Sequence, residues 1–259
     1  EDTTMGWRFI NPKLKEMYGV DTMPQTAENV AAQFNINRID QDQFALVSQQ
    51  RTAAAQAKGF FKHEIVAVRI PQRKGDPIVV DTDEHPRAST TIEALTKLKA
   101  VVKAEGTVTA GNASGINDGA AALLIASDEA VAQYQLKPRA KIIAATTVGV
   151  EPRIMGFAPA PAIKKLLKQA NLTLAQMDVI ELNEAFAAQA LAVTRDLGLA
   201  DEDIRINPNG GAIALGHPLG ASGARLVTTA LNQLEQIQGQ YALCSMCIGV
   251  GQGIALIIQ

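Results

Sequence analysis

Apolar and polar positions follow one clear pattern in the second half of the chain. After Pro138, short unbroken apolar runs alternate with segments in which apolar residues recur every three or four positions. The runs predict buried strands, and the recurrences predict amphipathic helices. This order is typical of a three-layer α/β domain with a mixed sheet. The predicted strands are 140–150, 178–182, 241–248 and 253–258, and the predicted helices are 161–170, 184–197 and one that follows Gly220.

The first hundred residues carry a weaker and more polar pattern, which predicts an α+β arrangement. We expect an irregular loop over residues 1–23, a helix opened by Pro24, and a second helix opened by a capping box of Asp40 and Gln43. Gly59 is expected to stop that second helix. Short strands at 65–70 and 78–80 and a short helix over 92–98 complete this part.

Residues 119–126 lie between these two parts and are almost wholly small and apolar. Unbroken apolar runs of this length are typical of strands that have helices on both faces of the sheet. The run therefore predicts a central strand that is buried on both sides.

The composition excludes several classes of protein. A net charge of −2 gives no general attraction to nucleic acid or to a membrane surface, and no apolar run approaches the ~20 residues of a membrane span. Two cysteines fit a reducing compartment, and hence a cytoplasmic protein. Because the first residue is Glu1, we expect the chain to begin inside a longer protein.

The most unusual stretch is 206–225, where five glycines and two prolines rule out a continuous helix or strand. His217 lies in this loop, directly before a predicted helix. Loops that lead into a helix N-terminus commonly hold catalytic groups or bind anions. A packed glycine loop with a structural histidine is the open alternative.

Two further polar groups lie at the ends of predicted strands. Asn183 follows the strand at 178–182, and Cys247 lies at the end of the strand that begins near Tyr241. Strand ends converge in α/β sheets, so an amide, an imidazole and a thiol are candidates for one pocket. Each has a simpler alternative: Asn183 as a helix N-cap, and Cys247 as buried packing.

Cys244 and Cys247 also form a C-x-x-C pair, which raises the alternative of a redox or zinc site. Residues three apart on a strand face opposite sides of the sheet, however, and the sequence offers zinc no second ligand pair. The glycine run at 249–253 joins two strands rather than a strand and a helix, so it is a poor dinucleotide-binding fingerprint.

Taken together, these motifs resemble the thiolase family, and the resemblance covers essentially the whole chain. Within the family, residues 6–12 are most similar to thiolases that act on 3-oxoadipyl-CoA in the degradation of aromatic compounds. The residues that carry the family resemblance are Met23 with Thr26-Ala27-Glu28-Asn29-Val30, Gly111-Asn112-Ala113-Ser114-Gly115 with Asn117-Asp118-Gly119-Ala120-Ala121, Asn183-Glu184-Ala185-Phe186, Gly216-His217-Pro218 with Gly220-Ala221-Ser222-Gly223, and Cys247-Ile248-Gly249.

The resemblance implies a division of the chain. Residues 1–103 correspond to the α+β loop domain that binds CoA and substrate, 104–134 to the last elements of the N-terminal thiolase domain, and 135–259 to the C-terminal thiolase domain. Thiolases carry their nucleophilic cysteine in the first half, whereas this chain has no cysteine before Cys244. We therefore expect an N-terminal segment to be missing, and residues 1–259 alone to be inactive and to expose apolar surface.

The resemblance also implies an activity, which is the cleavage of a 3-oxoacyl-CoA by CoA, with Claisen condensation as its reverse. Cys247 matches the acid/base cysteine. His217 matches the histidine that polarises a thioester oxygen and helps to activate the nucleophile. Asn183 matches the residue that holds a water in that oxyanion hole, and the backbone N–H of Gly249 matches a donor to the other oxyanion.

CoA is implied as a co-substrate, with no permanently bound cofactor and no metal. Ser114 matches a position beside the pantetheine arm, and Arg87 one near the nucleotide, with a solvated surface charge as its alternative. Phe186 is either a wall of the acyl site or part of the core. The family also implies a homo-oligomer, either a dimer or a tetramer.

The substrate and the class of protein leave alternatives. Trp7-Arg8, with Lys13 and Lys15 nearby, predicts a preference for an acyl chain that ends in a carboxylate. The alternatives are a generic acetyl-CoA acetyltransferase, a ketoacyl-synthase type of condensing enzyme, and a non-catalytic lipid- or CoA-binding protein of the same fold. Cys247-Ile248-Gly249 argues against the condensing enzyme, and the joint presence of Asn183, His217 and Cys247 argues against the binding protein.

Overall fold

A computed structural model describes residues 7–259. The start of the expected loop over 1–23, and Gly6 of the substrate-class motif, lie outside the described residues. Among the described helices, none combines the length and the apolar character needed to cross a membrane. The elements in chain order are α1 Pro12–Tyr18, α2 Met23–Gln33, α3 Arg38–Ala57, β1 Val68–Ile70, β2 Ile78–Val80, α4 Ile92–Thr96, α5 Asp128–Gln133, β3 Ile142–Gly149, α6 Pro159–Ala170, β4 Val179–Leu182, α7 Ala187–Asp196, α8 Ala212–Leu215, α9 Ser222–Ile237, β5 Ala242–Ile248 and β6 Gln252–Ile258, with 3-10 turns at Phe60–His63, Pro152–Phe157 and Leu174–Gln176.

A four-stranded mixed sheet in the order β3-β6-β5-β4 organises the second half. β4 and β5 run parallel, whereas β6 is antiparallel to both β5 and β3. The parallel pair brings the carboxyl ends of β4 and β5 to the same edge. Asn183 follows β4, and Cys247 is the second-last residue of β5. The sheet alone therefore places these two candidate groups side by side.

Helices cover both faces of this sheet, which confirms the predicted three-layer α/β fold. On one face, α6 and α7 pack against the strands through a core that includes Ile163, Leu166 and Val193. On the other face, α9 packs through Leu226 and Leu234. The predicted strands and helices of residues 140–258 are all present, with ends that differ by a few residues.

Local sequence explains where α6 begins and ends. Pro159 and Pro161 stand in its first turn, where a missing backbone N–H leaves no intrahelical bond unmade. Asn171 ends the helix in the left-handed conformation, at φ 52°, which asparagine adopts more readily than most residues. Between these ends, its apolar residues form one stripe that is buried in the core.

Two expectations for the first part are wrong. Residues 12–18 form a helix, because Pro12 opens it and the Asn11 side chain caps the N–H groups of Lys13 and Leu14. The capping box of Asp40 and Gln43 is absent. Asn37 instead accepts the N–H of Asp40 at 2.8 Å, and the Asp40 carboxylate pairs with Arg195 at 2.6 Å.

The other elements of the first part are close to their prediction. The helix expected from Pro24 is α2, which starts one residue earlier at Met23. Gly59 follows α3 with φ 75°, as expected of a helix stop. The strand expected over 65–70 is shorter, since only Val68–Ile70 pairs with Ile78–Val80, in an exposed antiparallel hairpin.

The central strand predicted over residues 119–126 is also wrong. These residues form no strand, and Leu124 and Ile125 are 84% and 70% exposed. No strand of the described chain pairs with them, so the apolar run has no ladder to join. An apolar cleft of about 1250 Å³ lies between this run and the α9 face of the sheet. The expected exposure of apolar surface is therefore confirmed at this run.

Candidate active site

The segment 183–186 joins β4 to α7 and lies in the candidate site. The N–H of Asn183 donates to the carbonyl of Ser245 at 3.0 Å, which continues the pairing of β4 with β5. The helix that follows begins only at Ala187, with Phe186 in the N-cap position. The alternative role of Asn183 as a helix cap is therefore wrong, and its side chain is free to act elsewhere.

The side chain of Asn183 reaches the histidine of the glycine-rich loop. Its Nδ2 lies 3.3 Å from Nε2 of His217, although the two residues are 34 positions apart. Asn183 is fully buried, and its Oδ1 has no hydrogen-bond partner among the described residues. An unpaired buried amide oxygen is costly, and in this position it is an acceptor next to an imidazole, which fits the predicted role of holding a water.

Three groups fix the backbone and the ring of His217. Its N–H donates to the carbonyl of Gly115 at 3.0 Å and to Oδ1 of Asn117 at 3.2 Å. Its Nδ1 lies 2.6 Å from Oγ of Ser222, in the first turn of α9. Gly216 precedes it with φ 93°, and a Cβ there would lie 2.4 Å from Oδ1 of Asn117, so only glycine fits.

The electrostatic surroundings keep His217 neutral near pH 7. Burial lowers its pKa below the usual value, and the nearby Arg225 guanidinium lowers it further. A neutral imidazole can accept a proton at one nitrogen while it donates from the other. A neutral ring can thus act as the base that the family resemblance implies.

Cys247 lies on the same side of the sheet as segment 183–186. It is 5% exposed and packs in a small apolar cluster with Met155 and Ala185, and with Phe186 at its edge. Burial raises the pKa of its thiol to about 12. The group is therefore a protonated thiol at neutral pH, which suits the donation and recovery of a proton rather than nucleophilic attack.

Cys244 faces the opposite side of the sheet, as the strand spacing predicts. It packs with Leu226 of α9, and its Sγ lies 3.7 Å from the Leu226 carbonyl. Burial, with a smaller contribution from Glu181, raises the pKa of this thiol. Because the two cysteines belong to clusters on opposite faces, the redox-pair alternative is wrong.

Three of the remaining predicted residues lie around Asn183, His217 and Cys247, and they are buried to different extents. Ser114 donates both its N–H and its Oγ–H to the carbonyl of Ala185, each at 3.0 Å, so its loop lies beside the Cys247 cluster. Gly249 lies in the turn between β5 and β6, where an added Cβ would meet no atom within 4 Å. Phe186 is partly buried against Cys247, which places it where either the acyl-wall role or the packing role would put it.

Arg87 is the most peripheral of the predicted residues. Its N–H donates to Oε1 of Gln49 on α3 at 2.8 Å, while its side chain is exposed. Two residues earlier, the ring of His85 contacts the carbonyl of Ala214 at 2.8 Å, which ties this strand-free segment to the loop that carries His217. A contact of Arg87 with CoA stays a prediction.

Glu184, Ser222 and Asn117 support the site, although no sequence pattern assigned them a role. The fully buried carboxylate of Glu184 accepts from Oγ of Ser48 at 2.6 Å, from Nδ2 of Asn207 at 2.8 Å and from N–H of Ile213 at 3.1 Å. Burial raises its pKa. Ser222 lies five residues after His217 at a predicted helix start, and that spacing was the available signal.

No group of three or more His, Cys, Asp and Glu side chains within residues 7–259 is arranged to hold a metal ion. The side chains brought together here are suited to acid–base and oxyanion chemistry. An amide, a neutral imidazole, a protonated thiol and an open glycine turn surround the carboxyl ends of two parallel strands. This is an arrangement for moving a proton beside a carbonyl oxygen.

Comparison with known proteins places this arrangement in a family. The sequence profile of the thiolase N-terminal domain matches residues 4–129, and that of the thiolase C-terminal domain matches residues 136–259. The chain belongs to the thiolase family. The divisions expected at residues 103 and 134 stay predictions.

Two named relatives and one solved structure are similar to this chain over most or all of its length. The chain is 87% identical to "Beta-ketoadipyl-CoA thiolase" of Acinetobacter baylyi over its whole length and covers 65% of that protein. It is 62% identical to a protein of the same name from Pseudomonas knackmussii and covers 64% of it. The crystal structure of human mitochondrial 3-ketoacyl-CoA thiolase in complex with CoA superposes with a TM-score of 0.87 at 48% identity, over 92% of this chain and 58% of that one.

Proposed function

We propose that this chain forms part of a thiolase that cleaves 3-oxoadipyl-CoA with CoA, giving succinyl-CoA and acetyl-CoA, and that also catalyses the reverse Claisen condensation. The observation that carries the proposal is the convergence of Asn183, His217 and Cys247 at one edge of the sheet. The names of the relatives at 87% and 62% identity support the substrate, since β-ketoadipyl-CoA is 3-oxoadipyl-CoA. The CoA complex of the human neighbour supports CoA as co-substrate, and we expect no permanently bound cofactor.

In this mechanism a thiolate attacks the 3-keto carbon, the bond between C2 and C3 breaks, and acetyl-CoA leaves as its enolate. Cys247 donates its proton to the enolate carbon and later recovers a proton from the incoming CoA thiol. His217 and a water held by Asn183 donate to one developing oxyanion, and the Gly249 N–H donates to the other. A single donor of this kind contributes ~2.7–4 kcal/mol to transition-state stabilisation.

The attacking thiolate is the one group that these residues do not supply. The chain has two cysteines. Cys247 carries the proton, and Cys244 faces α9 on the other side of the sheet. We therefore place the nucleophilic cysteine outside these 259 residues. A purified 259-residue polypeptide should show no thiolytic turnover, and robust turnover by it would contradict the roles proposed for both cysteines.

We propose that cations of residues 8–15 meet a distal carboxylate on the substrate. The indole N–H of Trp7 donates to the carbonyl of Asp21 at 3.4 Å, two residues before Met23, which packs beside the Cys247 cluster. Arg8 therefore belongs to a segment anchored near the site, and Lys13 and Lys15 are exposed on α1. A guanidinium is well suited to bind a carboxylate.

The proposal also covers the location of the enzyme, its oligomeric state and its contacts with CoA. We expect a cytoplasmic homo-oligomer, either a dimer or a tetramer, and sedimentation of the full-length gene product distinguishes these from a monomer. Arg87 and Ser114 are proposed to contact the nucleotide and the pantetheine arm of CoA. An Arg87→Ala variant should then raise KM for CoA with little change in kcat.

Loss of thioester absorbance, measured on the full-length gene product, tests the substrate. We expect kcat/KM for 3-oxoadipyl-CoA to exceed that for acetoacetyl-CoA, and the ratio to fall in an Arg8→Gln variant. A Lys141→Gln variant, at an exposed cation beside the sheet edge at β3, serves as the charge-matched control. A clear preference for acetoacetyl-CoA would favour a generic acetyl-CoA acetyltransferase instead.

A further inference from the structure

Ser222 contacts the nitrogen of His217 that faces away from Asn183. It is 1% exposed, and its Oγ lies 2.6 Å from Nδ1 of the imidazole. The same hydroxyl donates to the carbonyl of Pro218 at 3.0 Å, four residues earlier in the chain. Serine in the first turn of a helix often makes this backbone contact. A chain of contacts thus runs from the ring through the hydroxyl to a carbonyl.

With the Ser222 hydroxyl donating to Pro218, these contacts favour one tautomer of the ring. The hydroxyl has a single proton, and the Pro218 carbonyl can only accept it. Oγ then presents a lone pair to Nδ1, so Nδ1 carries the ring proton. On the other side of the ring, Nδ2 of Asn183 is a donor and lies 3.3 Å from Nε2, which must then be the acceptor. With the amide in this orientation, the opposite tautomer would set two N–H donors against each other at this contact.

We propose that Ser222 is a positioning residue that holds the resting proton of His217 on Nδ1 and leaves Nε2 unprotonated, so that Nε2 can take a proton. The expected effect of Ser222 on turnover rests on the proposed function, whereas the expected tautomer of His217 does not. When Nε2 takes the proton of a thiol, the S–H bond breaks, an N–H bond forms, and the ring becomes an imidazolium whose Nδ1–H stays on Ser222. The new Nε2–H then donates to a thioester oxygen, so one resting state serves both roles of the ring.

The helix offers a matched control. The hydroxyl of Thr228 donates to the carbonyl of Ala224 at 3.0 Å, which is the same four-residue contact on the same helix, α9. Thr228→Ala therefore removes an equivalent hydrogen bond without touching His217. Ser222→Ala removes the acceptor of Nδ1–H, and Ser222→Thr keeps a hydroxyl at that position.

Nitrogen-15 NMR of the full-length gene product, labelled at histidine, reads the tautomer directly. The His217 signals are identified by difference from a His217→Asn variant, in the absence of substrate at a pH where the ring is neutral. We expect a protonated Nδ1 and an unprotonated Nε2 in the wild type and in Thr228→Ala. In Ser222→Ala the population should shift towards protonated Nε2, with a loss of about tenfold or more in kcat/KM, and Ser222→Thr should restore both readouts.

A wild type that carries its proton on Nε2 would overturn the inference, even if Ser222→Ala failed to fold. An unchanged tautomer in a folded Ser222→Ala protein would overturn it as well. The Nδ1–H tautomer in the wild type and its loss in Ser222→Ala support it whatever the substrate, so the absence of turnover on 3-oxoadipyl-CoA would count against the proposed function alone.

Discussion

Cys244 and Cys247 lie three residues apart on one strand, yet they belong to separate cores on opposite faces of the sheet. Only Cys247 packs beside the segment that carries Asn183. Its raised pKa, at about 12, keeps it protonated at neutral pH. Burial raises the pKa of both thiols, but only Cys247 lies at the candidate site.

Replacing Cys247 separates the two halves of the reaction. In the full-length gene product, Cys247→Ala should still become acylated by acetyl-CoA, because that step uses the nucleophile and the oxyanion donors. Cleavage of the carbon–carbon bond should fall by about 10²-fold or more, since a general acid contributes 10²–10⁴-fold. Isotope exchange measures the first step, and loss of thioester absorbance measures the second.

Cys244→Ala is the matched control for this prediction. It removes a buried thiol of the same strand and should cost some stability with little change in either half-reaction. An equal loss from both variants, or an equal loss of both half-reactions in Cys247→Ala, would contradict the assignment of Cys247 as the proton carrier.

Asn183 provides a second test of the oxyanion donors. Asn183→Ala should lower kcat by about 10²–10³-fold with a smaller change in KM, as removal of one oxyanion donor does elsewhere. Asn232→Ala is the control for loss of a buried polar group. It removes another buried amide, on α9, whose Oδ1 accepts from Arg139. A fall in melting temperature without a loss of kcat would assign Asn183 to structure instead.

Arg225 should shift the pH dependence through His217. A base acts only when it is unprotonated. Burial lowers the pKa of the ring and Arg225 lowers it further, so activity should extend to lower pH than an ordinary histidine allows. The double variant Arg225→Gln with Glu181→Gln removes the cation without leaving its partner carboxylate unpaired.

In that double variant the pKa of His217 should rise, and the acid limb of kcat/KM should move to higher pH. Arg225→Lys keeps the charge and should leave the limb in place. A pH profile that is the same in all three proteins would show that Arg225 does not tune the ring.

Glu181 should make the stability depend on pH. Burial raises its pKa to about 8 from the usual 4.5, although Arg225, at 3.1 Å, favours the ionised form. Between these two values the folded state holds a proton that the unfolded chain releases. The free energy of unfolding should therefore fall as pH rises from 4.5 to 8, by up to about 1.4 kcal/mol per pH unit.

Denaturant titrations at several pH values measure this slope. Glu181→Gln keeps an acceptor for Arg225 but has no proton to lose, so its stability should depend less on pH over this range. Parallel curves for the variant and the wild type would mean that Glu181 stays ionised in the folded state.

The sequence predicts the sheet well because its strands and helices are set by local patterns. The two candidate residues at the sheet edge can be predicted for the same reason, because Asn183 and Cys247 lie at the ends of strands that are parallel neighbours. Residues 119–126 fail for a physical reason: a strand requires a partner for its backbone, and an apolar run alone does not supply one. The contact of Asn117 with His217 joins residues 100 positions apart, and single-sequence patterns hold no information about such a contact.

The buried carboxylate of Glu184 has a consequence for how the molecule comes apart. It is bound at once by Ser48 of α3, by Asn207 of the glycine-rich loop and by the backbone at Ile213. If α3 moved away while this group stayed buried, the group would lose a partner, and an unpaired buried carboxylate costs several kcal/mol. The two parts should therefore melt together as one cooperative unit, and amide hydrogens on α3 and β4 should exchange with the same free energy of opening.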